Sequence, residues 1–348
     1  MDTKNRIIEF LEANKGQSVS GEYMASTLNV SRGAIWKAIN GLKKEGYKIT
    51  GATNRGYCLS EDSDIISVSG IAPYLRVDGT AKNISVYQIL DSTNEKAKEL
   101  AALGTCHGTV VIADAQSAGK GRYGRSFFSP PGHGLYISFV IHPDQFALKL
   151  RAKTHMSNDY QESYNDKLRT IITPQLFTAY AAVAVCRVIE AETGKKPQIK
   201  WVNDIFLDGM KICGILSEAV TDFESGSIGW VVVGIGINFI KPDGGFPNPI
   251  SQTAGALFMD EKPTVTRNRL AAGLINEMVY SNEIHDSCGL ISQYKNRLMM
   301  LGKNITVMGL KEPFSAIAID IDDMGHLVVK KGDGEIIHLS AGEISVRI

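Results

Sequence analysis

The hydrophobic pattern changes along this 348-residue chain, and that change limits the fold more than any single motif does. Apolar residues recur with helical spacing over residues 1–45, whereas residues 302–348 alternate in short runs separated by turns. Neither an all-helical layer nor a single sheet would show both the helical period and the alternation of strands. At roughly 100–200 residues per domain, the sequence therefore predicts an α+β protein of two or three domains.

The first sixty residues predict a winged helix-turn-helix. Ser20 and Ser31 can each cap a helix, and the helix after Ser31 buries a stripe at i, i+4 and i+7. Residues 46–59 indicate two short strands around a turn. The segment carries nine Lys/Arg against five Asp/Glu in a chain whose totals are 37 and 37, so it favours an anionic partner.

We expect the third helix to enter the major groove of DNA and the hairpin to meet phosphate. The predicted DNA-binding residues are Arg32, Trp36, Lys37, Asn40, Lys48 and Arg55. The alternative is a helical dimerisation cap whose charges are only solvated.

Composition excludes several classes of protein. The longest uncharged apolar runs, residues 179–186 and 230–237, are far shorter than the roughly 18 residues of a membrane span. The charged N-terminus is unlike a secretory signal. Five scattered cysteines without a CxxC pair indicate reduced thiols in a cytosolic protein.

Two segments of the central region have the composition of ligand-binding loops. Ser92, Thr93 and Asn94 follow a predicted strand, Ile84–Leu90, at the start of a helix, where they either bind a polar ligand or only cap the helix. The segment 117–125 holds three glycines and three basic residues between two strands. It matches neither a Walker loop nor a Rossmann fingerprint, but it suits an anion.

A hairpin is predicted from residues 198–207 and 211–218 around Asp208-Gly209. Its polar residues Lys200, Asn203, Asp204 and Lys211 are costly among apolar strands unless they are paired or used, and a rim salt bridge is the alternative. Gly234 and Gly236 interrupt a later strand, either for a flat ligand ring or for close packing. Residues 143–172 are interpreted as an exposed excursion.

Six motifs in this order resemble the bifunctional biotin protein ligases of the bacterial biotin operon repressor type. They are Asp91–Asn94, the loop 118–125, Lys200–Asp204, Lys211–Glu218, Gly234–Asn238 and Ala341–Ser345. Lys120 stands where that family usually has arginine, and Phe127 where it has tryptophan.

The resemblance implies three domains. These are a winged helix-turn-helix at 1–62, a mixed-sheet, class II synthetase-like catalytic domain at 63–300, and an SH3-like β-barrel at 301–348. It also implies ATP with Mg²⁺ and biotin as substrates, and biotinyl-adenylate as the intermediate. A biotin carboxyl carrier protein, operator DNA and an adenylate-promoted homodimer are the implied partners, and no membrane is involved.

The implied site roles fall into three groups. The catalytic residues are Lys211, Lys200, Arg125 and Asp204, where Asp204 orients Lys200 or Mg²⁺. The biotin contacts are Ser92, Thr93, Asn94, Gln116, Gly119, Lys120, Gly121, Arg122, Lys211 and Gly214. The ATP contacts are Arg122, Arg125, Asn203, Gly234, Gly236 and Asn238. A lipoate ligase and a ligand-sensing regulator without ligase activity are the alternatives.

Overall fold

The computed structural model describes residues 3–52, 56–77, 79–143, 174–221, 228–280, 287–308, 312–340 and 342–346. Arg55 and nearly all of the predicted excursion, residues 144–172, lie outside the described residues.

The N-terminal region forms the predicted helices and hairpin around a core of its own. Its elements are α1 (Thr3–Ala13), α2 (Gly21–Leu28), α3 (Arg32–Lys44), β1 (Ile49–Ala52) and β2 (Gly56–Leu59). The hydroxyl of Ser20 accepts from Tyr23 N, and that of Ser31 from Ala34 N, so both predicted caps are confirmed. The buried stripe of α3 packs into this N-terminal core.

The central region is a seven-stranded sheet with helices on both faces. Its strands, in the order β3-β4-β5-β9-β8-β7-β6, are β3 (Ile84–Leu90), β4 (Thr109–Gln116), β5 (Gly134–Ile141), β6 (Gln198–Lys200), β7 (Asp204–Leu207), β8 (Met210–Thr221) and β9 (Ile228–Asn238). Its helices are α4 (Val68–Ile71), α5 (Thr93–Ala102), α6 (Pro174–Thr193), α7 (Arg267–Ile275) and α8 (Ser287–Arg297). β3 pairs with β4 in parallel, and the other neighbours are antiparallel.

Burial on both faces explains the unbroken apolar runs of the central strands. Val111 of β4 packs toward α5, whereas its neighbours Val110 and Ile112 join the core around α6. A strand covered on both sides needs no polar face, so β4 and β5 read as continuous hydrophobic stretches.

Two predicted elements differ from the structure. Residues 198–207 were expected to be one strand, but the chain turns at residues 201–203 and β6 pairs back on β7. The turn forms because Asn203 binds β8 through two hydrogen bonds to the backbone of Ile215, at 2.8 and 2.9 Å. The predicted helix 266–284 is α-helical to Ile275 and continues as a π-helix at Asn276–Tyr280.

The C-terminal region is the predicted set of five short antiparallel strands. These are β10 (Asn304–Met308), β11 (Phe314–Ile321), β12 (Leu327–Lys331), β13 (Ile336–Leu339) and β14 (Glu343–Val346), in the order β13-β12-β11-β10-β14. Their inward side chains join the large hydrophobic core of the central region. Among the described residues, no helix has the length and apolar character to cross a membrane.

A buried arginine attaches the segment after the N-terminal hairpin to the central sheet. Arg267 is 3% exposed and binds Asp64 with its Nε at 2.8 Å and Asp114 of β4 with its Nη1 at 2.7 Å. Its Nη2 also donates to the carbonyl of Asp64 at 2.8 Å. Strand β4 of the central sheet and the segment after the N-terminal hairpin therefore share one charged anchor.

Candidate active site

A cavity of about 700 Å³ opens beside the central sheet and gathers most of the predicted site residues. Fifteen of them line it: Ser92, Thr93, Asn94, Gln116, Lys120, Gly121, Arg122, Arg125, Lys200, Asn203, Asp204, Lys211, Gly214, Gly234 and Gly236. Apart from Gln116, these residues come from five motifs spread over residues 91–238. The fold therefore brings them to one place.

Two predicted residues lie beside the cavity wall and not on it. The carbonyl of Gly119 accepts from Phe127 N at 2.8 Å, and this bond closes the base of the loop 119–127, the basic loop. Asn238 donates from its Nδ2 to the carbonyl of Gly255 at 2.8 Å, and its own carbonyl accepts from Leu257 N at 2.8 Å. Asn238 thus fixes the segment after residue 250, part of which lines the cavity.

One end of the cavity is a network of neutral hydrogen-bonding groups. Thr93 donates from its N and Oγ1 to Gln116 Oε1, at 2.9 and 3.1 Å. Ser138 Oγ lies 2.8 Å from Thr93 Oγ1 and 2.7 Å from Asn94 Oδ1. Ser92 is the N-cap residue of α5, but its hydroxyl makes no capping hydrogen bond. Helix capping therefore does not explain why a serine that is 2% exposed stands at this position.

The other end of the cavity is cationic. Its described lining residues include five cationic side chains and one carboxylate, Asp204: the cations are Lys120, Arg122, Arg125, Lys200 and Lys211. Such an excess of positive charge in a partly enclosed site favours an anion with several negative oxygens.

Asp204 pairs with Lys211, one of the two lysines of the salt bridge that the sequence indicated as the alternative. Lys211 Nζ lies 2.6 Å from Asp204 Oδ1, whereas Lys200 Nζ lies over the ring of Phe206 at 5.6 Å from its centroid. The contact has ion-pair distance but not hydrogen-bond geometry, because the buried Asp204 Oδ1 has no hydrogen-bond partner among the described residues. Asp204 therefore orients Lys211 through this oxygen.

The basic loop 119–127 is a tight turn at the cavity mouth. Gly121 N donates to Arg125 O at 2.7 Å, and Arg122–Gly124 forms one 3₁₀ turn. Arg122 reaches across the cavity and donates from Nη1 to Asn203 Oδ1 at 3.2 Å. Lys120 instead contacts Glu95 on α5 at 2.5 Å. The cations of this loop thus point in different directions.

The glycines of β8 and β9 make room for protein side chains. A Cβ on Gly236 would lie 2.6 Å from the ring of Phe127, and one on Gly214 would lie 3.2 Å from it. A Cβ on Gly234 would lie 2.0 Å from Asn94 Oδ1. The sequence predicts either a flat ligand ring or close packing beside Gly236. In this structure the ring of Phe127 occupies that space.

Sequence reasoning missed several residues of the cavity wall. Phe127 was noted only as a departure from a family pattern, and its apolar character gave no other signal. The C-terminal domain also contributes Met308, Gly342, Ile344 and Ser345. The motif 341–345 was the available sign of this contribution.

The predicted DNA-binding residues of α3 lie on the surface. Arg32 and Lys37 are exposed, Trp36 is 63% exposed, and Asn40 is half-buried. Lys48 of the hairpin region is exposed but contacts Asp62 at 2.9 Å. A helix that presents a cationic, aromatic face beside a hairpin is the shape of a winged helix that binds nucleic acid.

The fold and cavity define a class of protein: a helix-turn-helix domain joined to an α+β domain with a cationic, ligase-type site. Residues 3–58 match the HTH domain family, residues 86–238 the biotin/lipoate A/B protein ligase family, and residues 300–347 the biotin protein ligase C-terminal domain.

Similar proteins share this arrangement along nearly their whole length. The chain is 30% identical over 335 residues to the bifunctional ligase/repressor BirA of Bacillus subtilis, covering 94% of each. It is 30% identical over 338 residues to the protein of that name from Escherichia coli, covering 95% of this chain and 94% of the other. The chain belongs to the biotin protein ligase family, in the group that carries an N-terminal helix-turn-helix domain.

A solved structure supports the fold. The biotin protein ligase of Aquifex aeolicus, solved with biotin and ATP, superposes with a TM-score of 0.56 at 22% identity. It covers 76% of this chain and 99% of its own.

Proposed function

We propose that this protein is an ATP-dependent biotin protein ligase. It would convert biotin and ATP to biotinyl-adenylate and pyrophosphate, and then transfer the biotinyl group to a lysine of a biotin carboxyl carrier protein with release of AMP. The observation that carries the proposal is the cavity, where a network of neutral hydrogen-bonding groups meets five cations and one carboxylate. Family membership at 30% identity over 94% of the chain agrees with it.

The chemistry requires two anions to approach each other, a carboxylate and the α-phosphate of ATP. Fixed cations lower that barrier more than an acid–base pair does. Lys211 is our choice for the cation between them, because Asp204 holds its ammonium at 2.6 Å. Lys200 and Arg125 would support phosphate charge from the same wall.

The neutral end of the cavity suits the ureido ring of biotin. Ser92, Thr93 and Asn94 are buried there, and Gln116 orients Thr93. Asn203, Gly236 and Arg122 would lie on the ATP side of the wall, whereas Gly234, predicted as an ATP contact, lies against Asn94 at the neutral end. The basic loop would cover the mixed anhydride and exclude water.

Magnesium would enter bound to ATP. Asp204 fits it, because it is the one carboxylate among the described residues that line the cavity, and Mg²⁺ typically takes one or two carboxylates plus phosphate oxygens. When bound, the ion would neutralise phosphate charge.

Three outcomes of one experiment separate this proposal from its alternatives. The protein is incubated with ATP and labelled biotin or lipoate, and then with a carrier domain. Label on the carrier from biotin supports a biotin ligase, and label from lipoate supports a lipoate ligase. No adenylate from either acid would leave a ligand-sensing regulator.

We further propose that the protein represses transcription as a homodimer on operator DNA. The exposed face of α3, with Arg32, Trp36 and Lys37, is the observation that favours this second role. One half-site offers few phosphate contacts, so pairing two copies would raise the affinity. An electrophoretic shift with and without ATP plus biotin tests it, and a DNA affinity indifferent to both would argue against it.

A further inference from the structure

An ion network at the edge of the cavity connects the basic loop to helix α5. Glu95 Oε1 on α5 contacts Lys120 at 2.5 Å and Lys98 at 2.7 Å. Lys98 also contacts Glu218 of β8 at 2.9 Å, and Glu218 accepts a hydrogen bond from Asn94 at 2.7 Å. The loop, the helix and the sheet therefore share one chain of charges.

The basic loop needs such a contact because its own charges oppose its closed shape. It carries Lys120, Arg122 and Arg125 within six residues, and their like charges repel. Glu95 neutralises one of the three. Hydrogen bonds from Lys120 and Lys98 hold the pKa of Glu95 below its ordinary value, so its charge is present at neutral pH.

The geometry also separates two jobs among the cations of the loop. Arg122 points across the cavity to Asn203, at 3.2 Å, whereas Lys120 points outward to α5. The turn is thereby attached to the domain on both sides of the cavity mouth. Lys98 fixes the Glu95 carboxylate in advance, so pairing with Lys120 costs less conformational entropy than an isolated pair would.

We propose that Glu95 is a positioning residue for the proposed ligase reaction, which holds Lys120 and thereby keeps the basic loop over the cavity. Lys120 is then the anchor of the loop and not a contact of biotin. The proposal rests on the proposed function for its effect on catalysis, but the anchoring itself does not.

The first test measures the loop without any substrate. Amide hydrogen exchange of residues 119–127 is compared between the parent and Glu95→Gln. Because an exposed pair contributes up to about 1 kcal/mol, we expect exchange to rise about threefold to fivefold. Glu99→Gln is the matched control, since it removes the Lys96–Glu99 pair at 2.8 Å on the same helix but does not touch the loop.

The second test measures retention of the adenylate. Glu95→Gln should release biotinyl-adenylate about threefold to fivefold faster, while the rate of pyrophosphate formation in a single turnover changes less than twofold. Lys120→Gln should release the adenylate faster by the same factor, and the double variant should release it no faster than either single variant. Lys120→Arg keeps the charge and should behave as the parent does.

The two tests distinguish a failure of the proposed ligase function from a failure of the proposed anchor. If the parent forms no adenylate from biotin, the proposed function is wrong, and the exchange experiment still decides whether Glu95 anchors the loop. If exchange is unchanged in Glu95→Gln, or if the effects of Glu95→Gln and Lys120→Gln simply add, the anchor is wrong whatever the enzyme does.

Discussion

Lys211→Met is the substitution that most directly tests the proposed chemistry. It keeps the apolar stem of the side chain and removes the ammonium that lies 2.6 Å from Asp204. Loss of one preorganised electrostatic group of this kind costs about 3 kcal/mol in the transition state. We therefore expect pyrophosphate formation from ATP and biotin to slow by about 100-fold or more.

The fold should tolerate the change. Lys211 is 35% exposed and Asp204 is 23% exposed, so loss of their ion pair lowers the free energy of unfolding by at most about 1 kcal/mol. Single-turnover pyrophosphate release is the assay, with thermal unfolding measured beside it. Lys241→Met is the control, because it removes a surface lysine that contacts Asp260 at 3.3 Å.

A rate within threefold of the parent would refute the role of Lys211. A large loss of stability would also count against the reasoning, because the activity could then fall through unfolding. Equal slowing by Lys241→Met would show that the assay responds to any lost ion pair.

The remaining predictions concern the loop, the strand glycines, the linker and the dimer. Arg122→Gly should leak biotinyl-adenylate and label bystander lysines; equal retention argues against a covering role. Gly236→Val meets the Phe127 ring at 2.6 Å, so kcat/KM should fall at least about tenfold, unlike in Gly244→Val, whose Cβ meets nothing within 4 Å. Arg267→Met leaves Asp64 and Asp114 unpaired and should cost about 3 kcal/mol in denaturant unfolding, and a loss under about 1 kcal/mol would contradict it. Sedimentation should show a dimer promoted by ATP plus biotin, with salt-sensitive DNA affinity; an unchanged mass would remove the switch.

Local patterns predicted the elements whose burial is simple. The strand Ile84–Leu90 was predicted to the residue, because the polar residues Ser92, Thr93 and Asn94 that begin the next helix mark its end. The stripe of α3 and its Ser31 cap were predicted because helix spacing and capping depend on neighbours in sequence. Fifteen predicted site residues line one cavity: Ser92–Asn94 and the basic loop follow β3 and β4, whereas Gly214, Gly234 and Gly236 lie within β8 and β9.

Contacts between residues that are far apart in the sequence could not be predicted from these local patterns. Met308 and Ile344 reach the cavity from a domain whose strands are alternating and amphipathic, and alternation does not say which neighbour a strand meets. The turn at residues 201–203 depends on Asn203 bonding to β8, which is distant in sequence by 12 residues. No glycine or proline marks that turn.

The register of the β7–β8 hairpin shows why even a correct hairpin leaves its site undetermined. The two-residue turn fixes Phe206 opposite Lys211, and a regular ladder would then place Cys213 opposite Asp204. A bulge shifts the pairing so that Gly214 lies opposite Asp204 instead. Gly214 consequently lines the cavity and receives the ring of Phe127, while Cys213 is fully buried and burial raises the pKa of its thiol. One extra residue in the strand thus decides whether a thiol or the space that receives the Phe127 ring lies on the cavity side.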